Sequence, residues 1–111
     1  VPLNNGTKGM ISAAELSKMK KTAILINTAR GPVVDSNALA KALADGVIAG
    51  AAIDVFDNEP PLAASEVLLK APNALLAPHI GFATKEALVK RAEIAFQNVA
   101  KWLEGKPQNV I

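Results

Sequence analysis

The sequence predicts an α/β fold, a parallel sheet of three strands with flanking helices. Three observations lead there. Short apolar runs alternate with amphipathic stretches, the pattern of strands joined by crossover helices. The run over residues 22–27 is continuously apolar rather than alternating, as in a strand covered on both faces. The 111 residues are 50% apolar and 20% charged with a mean hydropathy of +0.25, which suits one domain with a core and excludes a disordered tail.

The elements follow in order. Residues 2–9 are a loop by composition, rich in Asn and Gly. Ser12 and Glu15 form a capping box for a helix expected to run to about Met19, with Ile11 and Leu16 at the staple positions and Lys18, Lys20 and Lys21 at its negative end. The first strand, residues 22–27, leads into a turn at Arg30-Gly31-Pro32. Asp35 is the N-cap of the next helix, Leu39, Ala42 and Leu43 are its apolar face, and Gly46 is its C-cap. Residues 48–55 make the second strand, where the small Ala51 and Ala52 allow close packing. A turn cluster spans residues 57–61. A short helix over 65–70 and a buried strand over 74–77, ended by Pro78, come next. The last helix covers about 84–103, with Leu88, Ala92, Ala95, Phe96, Val99 and Leu103 on one face. Trp102 is expected to pack. Gly105 and Pro107 stop that helix, and residues 108–111 are expected to leave in an extended path toward a docking surface elsewhere.

Composition narrows the function. Twelve Lys and Arg against ten Asp and Glu give +2 and a pI near 9.1. Ten of the twelve cations are Lys spread along the chain without interleaved aromatics, a poor match to a nucleic-acid footprint. With no Cys there is no disulfide framework or thiolate chemistry, and the lone His argues against a metal site. Apolar stretches fall well short of the roughly 20 residues of a membrane span. The start, Val1-Pro2-Leu3, has neither an initiator Met nor a secretory signal, so the expectation is a piece of a longer, cytoplasmic chain.

Parallel strands bring their carboxyl ends to one edge, where open α/β sheets bind ligands. The first strand runs into Asn27-Thr28-Ala29-Arg30-Gly31, the second into Asp54 and then Glu59, the third into His79. Arg30, flanked by small residues, can grip a small carboxylate bidentately. His79 is the natural acid-base group near neutral pH. Glu59 can accept its second N–H, which fixes the tautomer and favours the protonated ring. Asp54 suits a ligand amide donor. Each residue alone has an ordinary explanation too. His79 could cap Gly81 or face solvent, Arg30 could be a solvated turn residue, Asp54 could cap the turn before Asn58, and Glu59 could be a surface acid. Their occurrence at three successive strand ends favours the functional reading.

The stretch from Met19 to Asp35, centred on Asn27-Thr28-Ala29-Arg30-Gly31-Pro32, resembles the signature segment of the D-isomer-specific 2-hydroxyacid dehydrogenases. Asp54-Val55-Phe56 with Glu59-Pro60, and Ala77-Pro78-His79-Ile80-Gly81, resemble that family's two later motifs. Pro2-Leu3 through Thr7, Gly9 and Ile11 resemble the segment after its middle strand, so the likeness covers essentially the whole chain. It implies the second half of a Rossmann-type doubly wound parallel sheet, residues 1–111 being the carboxyl-terminal part of an NAD-binding domain.

By that resemblance, Arg30 holds the carboxylate and carbonyl of a 2-oxo acid. His79 is general acid in reduction and base in oxidation, and Glu59 is its partner. Asp54 accepts from the nicotinamide carboxamide, and Pro2, Thr28, Ala29, Arg30, His79, Ile80, Gly81 and Phe82 line the nicotinamide end of the cofactor. Hydride moves between cofactor and substrate, so the protein contributes orientation and charge. The cofactor is NAD, with NADP left open. The partner is a small 2-oxo or 2-hydroxy acid, and the parent enzyme is a homodimer.

Phe82 departs from the small residue more usual after that glycine. No glycine-rich GxGxxG turn occurs in these 111 residues. An NAD-sensing corepressor of the same family is a second reading, and intact Arg30, Glu59 and His79 do not separate the two, because such binders can retain the triad. The related formate dehydrogenases typically carry Gln where Glu59 stands, which argues against them.

Overall fold

The computed structural model describes residues 1–59 and 62–110, in two compact units, Val1–Ile80 and Gly81–Ile111. In the first, a capping box starts helix α1 (Ala13–Leu16). The Glu15 carboxylate accepts from the Ser12 backbone N–H at 3.0 Å and from its hydroxyl at 2.6 Å. The helix ends earlier than Met19. Lys18 and Met19 donate to carbonyls three residues back, so the last turn tightens to 3₁₀ geometry.

Strand β1 (Ile24–Asn27) follows, then a 3₁₀ turn at Gly31–Val33 with Pro32 inside it. The Asp35 carboxylate accepts from the Ala38 N–H at 3.0 Å and starts α2 (Ser36–Ala44). Gly46, at φ 65°, ends it: Gly46 N–H meets the Leu43 carbonyl and Val47 N–H the Ala42 carbonyl, a Schellman closure. Strand β2 (Gly50–Ile53) pairs parallel with β1, and β3 (Ala74–Leu76) parallel with β2, giving the order β1-β2-β3. The helix expected over 65–70 is a 3₁₀ turn, Val67–Lys70. Of the expected turn cluster, Pro60 and Pro61 lie outside the described residues.

One face of the sheet holds the core. Leu25, Ala51 and Ile53 pack with Leu16, Leu39, Leu43 and Leu68. The other face corrects an expectation: Ile24 (65% exposed), Ile26 (69%) and Leu75 (72%) are uncovered. An uninterrupted apolar run marks a strand built for two covered faces; the described residues cover one.

The second unit is helix α3 (Lys85–Leu103), whose N-cap Thr84 accepts from the Ala87 N–H at 3.1 Å. No residue of α3 is buried, so the apolar stripe and Trp102 that were expected to pack are exposed. The stretch after Gly105 also departs from expectation. Gln108 and Asn109 side chains donate to the Asn98 amide oxygen at 3.2 and 2.9 Å, turning the tail back along α3. No described helix is long and apolar enough to cross a membrane.

Candidate active site at the carboxyl edge of the sheet

Because the three strands are parallel, their carboxyl ends share an edge. The loop after β1 is held by Asn27, a buried residue not singled out as a site residue from the sequence. Its amide oxygen accepts from the Ala29 N–H at 3.1 Å and its amide nitrogen donates to the Arg30 carbonyl at 3.0 Å. Arg30 is exposed and extended (φ −150°, ψ 141°), and its Nη1 donates to the Ala29 carbonyl at 2.6 Å. Gly31 presses against the next strand's exit. A Cβ there would collide with the Phe56 carbonyl group and the Asp57 nitrogen, so only glycine fits.

After β2, the Glu59 carboxylate divides between two donors. Oε1 accepts from the Phe56 N–H at 2.6 Å, and Oε2 lies 2.6 Å from His79 Nδ1. The Phe56 bond, then the His79 bond, with the Arg30 charge as a smaller contribution, hold the Glu59 carboxyl below its usual range. It is therefore an acceptor, and Nδ1 is the donor of the pair. The two side chains that the sequence singled out as partners thus lie within hydrogen-bond distance of one another.

His79 has a left-handed backbone, φ 55°, which costs a non-glycine residue on the order of 1 kcal/mol and recurs at functional sites. The next peptide is tied down by Asp54: its Oδ1 accepts from the Ile80 N–H at 2.8 Å. Asp54 is buried, and its own N–H donates to the Asn27 carbonyl at 3.0 Å. The carboxylate expected to serve a ligand amide is seen here holding the His79 loop. Phe56, Leu62 and Pro78 complete, with Glu59 and His79, a cleft of about 270 Å³.

The other expected cofactor contacts lie in different surroundings. Thr28 and Ala29 belong to the Asn27-held loop. Pro2 sits in the N-terminal turn, where its carbonyl accepts the Thr7 hydroxyl at 2.7 Å. Gly81 and Phe82 open the second unit, in which the Arg91 guanidinium lies 5.3 Å from the Phe82 ring centroid. Among the described residues no group of acidic or imidazole side chains could hold a metal.

Residues 1–81 match the family model described as "D-isomer specific 2-hydroxyacid dehydrogenase, NAD binding domain". A glyoxylate reductase of Thermofilum pendens is 55% identical over 106 residues, 96% of this chain and 31% of that protein. A glycerate dehydrogenase of Methylorubrum extorquens is 50% identical over 113 residues, 100% of this chain and 36% of that protein. Among solved structures, the NAD-complexed D-isomer specific 2-hydroxyacid dehydrogenase of Lactobacillus delbrueckii ssp. bulgaricus superposes with a TM-score of 0.82 at 36% identity, over 98% of this chain and 37% of that one. The chain thus spans about a third of the length of the proteins it matches.

Proposed function

The chain belongs to the D-isomer specific 2-hydroxyacid dehydrogenase family, and from that premise we propose that it forms the carboxyl-terminal half of the NAD-binding domain of a longer enzyme that interconverts small 2-oxo acids and D-2-hydroxy acids. The observation that carries this reading is the 2.6 Å bond between His79 Nδ1 and Glu59 Oε2, made between residues twenty apart in sequence.

The residues fit the nicotinamide end of NAD by the chemistry of their donors and acceptors. Asp54 offers a buried carboxylate at the end of β2 for an amide donor, and its N–H bond to the Asn27 carbonyl places it beside the Thr28-Ala29 loop. When bound, the cofactor supplies the hydride. Arg30 holds the carboxylate and carbonyl of the 2-oxo acid, a binding role that its fork of donors suits. Glu59, kept ionised, fixes the His79 proton on Nδ1, which assigns proton exchange with the substrate oxygen to Nε2. An imidazolium formed in the oxidative direction is stabilised by the same carboxylate.

The test is substrate-dependent NADH consumption by the full-length protein with glyoxylate and hydroxypyruvate. Turnover is expected, with His79→Gln lowering kcat by roughly 10²–10⁴. NADH binding without turnover would overturn the enzyme reading in favour of an NAD-sensing corepressor.

A further inference from the structure

We propose that Asn27 is a positioning residue for Arg30, fixing the backbone from which the guanidinium meets the substrate carboxylate; the inference rests on the functional reading above. Asn27 ends β1 opposite Ile53, only 5% exposed, with its own carbonyl bonded to the Asp54 N–H. Its two amide atoms then reach forward in opposite roles. Oδ1 takes the N–H of Ala29 and Nδ2 gives to the carbonyl of Arg30. The pair of bonds brackets Ala29 and Arg30, the second of which carries the guanidinium, and Gly31, with no room for a Cβ against the Phe56–Asp57 backbone, closes the far side.

An exposed, long side chain thus stands on a backbone held at both ends, and folds back onto the clamped loop through Nη1 and the Ala29 carbonyl. The amide supplies both a donor and an acceptor at this reach, whereas an ionised carboxylate supplies acceptors alone. An aspartate of the same shape would set a carboxylate oxygen against the Arg30 carbonyl, two acceptors facing each other. A residue that simply ended the strand would need neither bond.

The experiment is steady-state kinetics of the full-length enzyme with glyoxylate, together with NADH binding followed by fluorescence. Asn27→Asp is expected to raise KM for glyoxylate roughly tenfold to a hundredfold, with kcat and NADH affinity held within about twofold. Asn27→Ser, whose hydroxyl can still accept from the Ala29 N–H, should give a smaller rise of the same kind and serves if the aspartate variant does not fold. In an Arg30→Lys background the Asn27 substitutions should add almost nothing, because they act through the same group. An unchanged KM, a parallel loss of kcat and NADH affinity, or effects that multiply with Arg30→Lys would overturn the inference. If Arg30→Lys alone raises KM while the Asn27 variants do not, only this inference fails. If Arg30→Lys leaves KM unchanged, the reading of the arginine fails first and takes the inference with it.

Discussion

Glu59 is the residue on which the site turns, because its two oxygens serve two different structures. Oε1 is committed to its own turn through the Phe56 N–H, so the carboxylate is oriented before it meets the imidazole at Oε2. Its lowered pKa has a thermodynamic consequence of definite sign. A carboxyl depressed on folding contributes stability above its unfolded value, about 4.3, and loses it as pH falls through the folded value. Urea midpoints of full-length wild type and Glu59→Gln should therefore separate at neutral pH and converge on acidification, as the pH falls through the lowered folded-state value; a gap that widens on acidification would contradict the assignment. The Glu59–His79 pair was legible in the sequence because a sole imidazole and an acid each followed an apolar run. Asn27 was not. An asparagine at a strand end looks like any polar terminus, and its clamp exists only once the Arg30 loop has closed over it.

At the scale of elements, legibility followed local chemistry. Helix α2 was readable at both ends, since Asp35 caps it through the Ala38 N–H and Gly46 supplies the left-handed exit. Asp35→Ala should cost about 1 kcal/mol, seen as a lower denaturant midpoint and faster amide exchange in the first turn of α2. An unchanged midpoint would mean that tertiary packing alone holds that end. Helix α1 was overestimated because three lysines suited to a helix end fix no boundary, whereas the bonds from Lys18 and Met19 to carbonyls three residues back do. The apolar stripe of α3 was likewise correct in period; that no residue of the helix is buried could not be read from period alone.

For the whole molecule, the parallel order β1-β2-β3 was implied by alternating strand and helix signals, and it is this order that gathers Arg30, Glu59 and His79 on one edge. What the pattern could not specify is coverage. Ile24, Ile26 and Leu75 stand uncovered on one sheet face, and strand edges invite pairing with other chains. The 111-residue chain by itself should therefore self-associate in light scattering; a monodisperse monomer would contradict that. The central claim is that groups from separate strand ends work as one acid-base unit. Its most direct test is a double-mutant cycle on the proposed 2-oxo acid reduction by the full-length protein, reading kcat for Glu59→Gln, His79→Gln and the pair. The double variant is expected to be no slower than His79→Gln alone, because Glu59 acts through the imidazole. Losses that multiply would show two independent groups and contradict it.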